Sequence, residues 1–130
     1  MDLICFAPTN KYFSHLTSKV LEGLLKDDQH KTYKTFGSFL ERITNPKKIP
    51  TILIFCAKNK RDFKKLLLYA NFLINTEIIL VLPDRKKETI DAALLLYPRF
   101  FISADQDFKE INDVVKKMRQ KFTARKTLNK

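Results

Sequence analysis

Two basic runs and one cysteine are the residues of this chain with the clearest chemical potential. Cys56 ends an apolar run and is followed by Lys58, Lys60, Arg61, Lys64 and Lys65. Cations beside a thiol lower its pKa and would make it a nucleophile if water reached it, but the apolar residues before it argue for an inert buried thiol. Arg85, Lys86 and Lys87 follow another apolar run. If both runs open helices, backbone N–H groups add partial positive charge to the lysines, and a basic rim able to hold an anion or a partner results. The competing reading is a lysine-rich surface solvated by water. A third cluster, Lys116, Lys117, Arg119, Lys121, Arg125, Lys126 and Lys130, could grip nucleic-acid phosphates without reading bases or could complement a helix dipole.

Other chemistries lack their residues. His15 and His30 stand apart from each other and from Cys, Asp or Glu at ligand spacing, so neither a metal site nor a nucleophilic triad is expected; a helix surface suits His15 and a loop suits His30. Cys5 and Cys56 lie inside apolar runs rather than in paired spacings, which argues against zinc and disulfides and for two reduced thiols. Tyr33, Tyr69 and Tyr97 do not interleave with the basic runs, so no stacking platform for single strands is expected.

The elements that must position these residues follow from an alternation of apolar runs with amphipathic stretches. Runs at 3–7, 33–36, 51–57, 78–82 and 100–103 predict five strands, and the stretches between them predict helices, the pattern of a doubly wound α/β domain. The 3–7 and 51–57 runs are apolar on both faces and belong in the centre of a parallel sheet, whereas the polar second strand, 31–36, belongs at an edge. Asn10 caps a first helix with its stripe on Tyr12, Phe13, Leu16, Val20, Leu21, Leu24 and Leu25. Gly23 inside it costs about 1 kcal/mol relative to alanine. Gly37 and Ser38 open a second helix through Phe39, Leu40 and Ile43, and the turn at 45–50, with Pro46 and Lys47, ends it. Asn59 caps a third, facing Phe63, Leu66, Leu67, Ala70 and Leu73 inward, although its first-turn cations oppose the helix dipole. Pro83 and Asp84 lead to a fourth with Ile90, Ala93, Leu94 and Tyr97 as its stripe. Asp107 and Glu110 form a capping-box-like start to the last helix, which uses Phe108, Ile111, Val114, Val115, Met118 and Phe122.

The 130 residues suit one domain with a proper core, spanning 1–122, and residues 123–130 read as a frayed basic tail. The chain has 25 Lys and Arg against 14 acids, net charge +11, a field that attracts nucleic acid, acidic proteins or anionic headgroups alike. Nothing resembles a signal core, and no apolar run could cross a bilayer; a soluble cytoplasmic protein without membrane insertion is expected.

Five strands with intervening helices permit a Rossmann half or the flavodoxin-like order. The first turn, Ala7-Pro8-Thr9-Asn10-Lys11, has no glycines to admit a pyrophosphate, which argues against NAD and FAD. A Gly-x-x-x-x-Gly-Lys sequence is absent, and a single Thr9 is thin support for a flavin phosphate. No cofactor is expected.

The five-fold alternation, the entry Pro50-Thr51-Ile52-Leu53 to the third strand, and the acidic turn before the last helix resemble the receiver domain of bacterial response regulators, over residues 1 to about 122. The resemblance implies a three-layer, five-stranded parallel sheet in the flavodoxin-like order 2-1-3-4-5. It also implies a phospho-acceptor aspartate ending the third strand, metal-binding acids after the first, a hydroxyl ending the fourth and a lysine ending the fifth. Here the acceptor position falls on Cys56, or on Ala57 one residue later, and the acidic pair on Ala7 and Pro8. The hydroxyl position falls on Leu82 or Pro83, and the lysine position on Ser103. Each departure removes a ligand or charge that phosphoryl transfer needs. The expectation is therefore a pseudo-receiver: not an enzyme, binding a signalling or regulatory protein by contact. In receiver relatives the face of the fourth helix, fifth strand and last helix often dimerises, which here would use Arg99, Lys109 and exposed residues of 91–97. The alternative is a nucleic-acid-associated protein using the basic rim or tail.

Overall fold

A computed structural model describes residues 1–45, 48–107 and 109–128, with side chains as far as Phe122. Pro46 and Lys47 of the expected turn, Phe108 of the last helix and Lys130 of the basic cluster lie outside the described residues.

Strand and helix alternate throughout: β1 (Asp2–Phe6), α1 (Lys11–Glu22), β2 (Gln29–Tyr33), α2 (Phe36–Ile43), β3 (Thr51–Cys56), α3 (Lys60–Leu67), a 3-10 turn (Ala70–Leu73), β4 (Thr76–Leu82), α4 (Lys87–Leu94), β5 (Phe100–Ser103) and α5 (Lys109–Leu128). The five strands form one parallel sheet in the order β2-β1-β3-β4-β5, the flavodoxin-like arrangement. Register fixes which side chains share a face: Cys5 stands opposite Ile54, and Cys56 opposite Val81. Because successive strand residues point to opposite faces, the central strands feed two cores. Phe6, Leu53, Phe55 and Leu80 meet α2, α3 and α4 on one side, through Phe39, Phe63 and Ala93. Leu3, Cys5, Ile54, Cys56 and Ile79 meet α1 and α5 on the other, through Leu16, Val20, Ile111 and Val115. The first core is rich in aromatic rings, with Phe6 stacked on Phe55 at 4.7 Å between centroids and Phe39 tilted against both.

Helix starts follow the expected chemistry. Asn10 Oδ1 accepts from Tyr12 and Phe13 N–H groups, and Asn59 Oδ1 accepts from Arg61 N–H. Asp107 Oδ1 accepts from Lys109 N–H at the head of α5. The positive charge loaded onto the start of α3 is countered by Asp62, whose carboxylate accepts the Lys58 N–H at 2.8 Å.

Several expectations are corrected. β2 lies earlier, at Gln29–Tyr33, so His30 is in an edge strand rather than a loop, and Phe36 opens α2 under a Thr35 cap. A polar edge strand has no apolar period to fix its limits. Gly23 is the C-cap of α1 rather than an interior residue, which removes the expected interior cost and leaves Leu25 exposed in the connection. Leu67 and Leu94 end their helices and are exposed, and Tyr97 lies beyond α4 with φ of 51°; Leu73 is buried as expected, and Ala92 and Leu96 take the core places beside Ala93. Finally, α5 continues to Leu128, so the segment expected to fray at Thr123 is helical for six more residues. Ala124, Arg125, Lys126 and Leu128 are good helix formers.

Candidate functional site at the carboxyl edge

The loops after the five strands meet at the carboxyl edge of the sheet, the edge where open α/β folds build sites. Its centre is apolar and closed. Ala7 and Pro8 are buried, and the Ala7 N–H is used by Tyr33 O at 2.9 Å. Cys56 is fully buried, as is Ala57, whose N–H donates to Val81 O. Burial pushes the Cys56 thiol well above its ordinary pKa, with neighbouring Cys5 adding to the shift. Leu82 is buried and Pro83 half-buried. Tyr12 lies over this region: its hydroxyl donates to Gln106 O at 2.9 Å, and burial, then Cys56, Asp105 and Asp107, push its pKa up to about 12.

Ser103, in the lysine position, anchors a network that residue types alone did not announce. Its hydroxyl donates to the Asp105 carboxylate, lies 3.2 Å from Gln106 Oε1 and accepts from Arg85 Nε at 2.9 Å. The Ser103 N–H donates to Gln106 Oε1 at 2.8 Å, and Arg85 Nη2 reaches Asp105 at 3.4 Å. The Ser103 hydroxyl, helped by Arg85, holds the Asp105 carboxyl below its ordinary range. A cation does stand at the end of β5, but it comes from the β4–α4 loop and is matched by Asp105.

The remaining cations of the expected rim, Lys58, Lys60, Arg61, Lys86 and Lys87, are exposed around this centre on the α3 and α4 starts. They do not surround a vacant helix N-terminus. Asp84 occupies the head of α4: Thr89 and the Lys86 N–H, donating at 2.9 Å, hold its carboxyl below the usual range, and Lys60 contributes through space. Among the described residues no group of three or more His, Cys, Asp or Glu could hold a metal ion.

No family model matches the chain, and no curated protein matches its sequence. The chain is similar in structure to a Burkholderia pseudomallei protein that carries the name pilus assembly-related protein. The TM-score is 0.68 at 12% identity, covering 91% of this chain and 88% of that one. At that identity the likeness is one of fold: the same α/β arrangement serves unrelated functions.

Proposed function

We propose that this chain is a non-catalytic, receiver-like module that takes no phosphoryl group on aspartate and works in signalling or regulation by contact with a protein partner. Position 56 carries the reading. Where a receiver would offer an acceptor carboxylate to solvent, this chain has a thiol with no exposed surface and a raised pKa. The replacement of metal-binding acids by buried Ala7 and Pro8 supports it, as does the pairing of the β5-end cation with Asp105. Phosphoryl transfer needs a bound metal to neutralise charge and a cation to receive the transferring oxygens, and the positions from which a receiver supplies them hold Ala7, Pro8 and Ser103 here.

Incubation with labelled acetyl phosphate, with and without magnesium, tests the chemistry. No hydroxylamine-sensitive label is expected; its appearance would overturn the reading. The contact function is tested by capture from native extract before and after nuclease treatment, with recovery of a specific, nuclease-resistant protein expected. The second reading, a nucleic-acid-associated protein, is favoured by the five exposed cations around the carboxyl edge. It requires an affinity that falls steeply with salt and charge reversal at Lys60, Arg61, Lys86 and Lys87 that abolishes it. Self-association through α4 and β5 is the other contact this reading allows: Leu94 and Leu95 are exposed there, while Arg99 is tied to Glu77 at 3.0 Å. Light scattering at high concentration would detect it.

A further inference from the structure

In a parallel sheet each crossover helix runs back against the strands, so every α-to-β connection comes to the pole opposite the carboxyl edge. Exposed apolar side chains concentrate there. Among the described residues ten large apolar side chains are exposed, and all but Phe101 lie in the last turn of a helix or the connection after it. Leu68, Ile74 and Tyr97 are the extremes, at 81%, 77% and 88% exposure. A cleft of about 630 Å³ opens at the same pole, with Ile4, Ile43 and Leu73 at its base and Ile49, Phe72 and Ile74 at its lip. Surface area of this kind gathered at one end of a small molecule marks an interaction site.

The charges at this pole select the partner. Its buried or half-buried acids are already matched: Asp2 by Arg42, Asp28 by Arg119 at 2.8 Å, and Glu77 by Arg99. Lys26, Lys48, Lys64, Lys65 and Lys121 are exposed and form no ion pair among the described residues, and they outnumber the exposed acids Glu22, Asp27, Glu41 and Asp91. Two copies, each of net charge +11, brought together pole to pole would oppose these cations. An anionic surface would neutralise them.

We propose that this pole docks on an anionic membrane surface, with Leu68, Ile74 and Tyr97 entering the headgroup layer and Lys26, Lys48 and Lys121 meeting lipid phosphates. The association is peripheral: among the described residues no helix is long and apolar enough to cross a membrane. Apolar tips and lysines reinforce each other in such docking, since burial of the first adds to the attraction of the second.

The chain has no tryptophan, so one introduced indole reports its own surroundings. With vesicles of phosphatidylcholine and phosphatidylglycerol, Ile74→Trp should shift its emission to the blue, and Lys87→Trp at the opposite pole should not. Pure phosphatidylcholine should retain much less protein. Flotation of the full chain should weaken with salt, and replacing Leu68, Ile74 and Tyr97 together by serine should lower retention roughly tenfold or more. The two tryptophan variants give an answer even if the triple variant does not fold. The proposal is overturned if anionic vesicles do not retain the protein, if Lys87→Trp shifts in place of Ile74→Trp, or if the folded serine variant binds as well as the parent. It is equally overturned if the apolar tips prove to drive dimerisation or capture of an acidic protein while vesicles go unbound.

Discussion

Asp2 and Arg42 join the first strand to the second helix beneath the sheet, both largely withdrawn from water. An ion pair of this kind adds little over an apolar pair, but removing one partner strands the other charge. Asp2→Ala is therefore expected to cost about 3 kcal/mol in a urea titration, whereas Asp105→Ala, in an exposed pair, should change the midpoint little. The two thiols make a different prediction. Burial raises Cys5 to about 12, against a weaker lowering by a Thr32 hydrogen bond, and raises Cys56 well above its ordinary value. The folded state thus keeps protons that the unfolded chain releases above about pH 8.5, so stability is intact below that pH and declines as pH rises beyond it. Alkylation should be slow in the native protein and fast in denaturant; equal rates in both would contradict the burial of the two thiols, and only a native rate above the denatured one would indicate an activated Cys56. What the sequence made legible at this scale was position: Cys56 and Ser103 do end β3 and β5. The Arg85–Ser103–Asp105 contact was not legible, because it joins two loops far apart in the chain and forms when β4 and β5 lie side by side.

At the scale of elements, apolar runs and capping residues carried most of the information. Thr51–Cys56 is buried along its whole length, as an uninterrupted apolar run between layers of helices must be. Asn10 satisfies two N–H groups at the start of α1, and Asn10→Ala should lower stability by about 1 kcal/mol in thermal or denaturant unfolding. Asn10→Asp, which keeps the acceptor, should recover most of it. Periodicity misled at helix ends. It assigns a face for as long as the helix lasts, but α4 stops at Leu94, and the turn through Tyr97 sends that ring into solvent. The same reason explains Leu25 beyond the Gly23 cap. These misread residues supply much of the apolar pole, so local stripes placed in the core what the chain uses as surface.

For the molecule as a whole, the sequence conveyed a basic charge but not its arrangement, since the two poles are assembled from segments far apart in the chain. The carboxyl pole is cationic around a closed apolar centre, and the opposite pole is apolar with cations among its exposed tips. A change in salt concentration acts on both, so only substitutions confined to one pole separate their roles.

The division of the core between two faces has a further consequence during synthesis. The face carrying Leu3, Cys5, Ile54 and Ile79 is covered by α1 and by α5, which follows all five strands in chain order. Until Ile111, Val115 and Met118 emerge, a nascent chain with all five strands made still presents half of that face to its surroundings. Strand pairing can precede the synthesis of α5, but sealing of the second core cannot, and the interval between them is when the half-covered face most needs a chaperone.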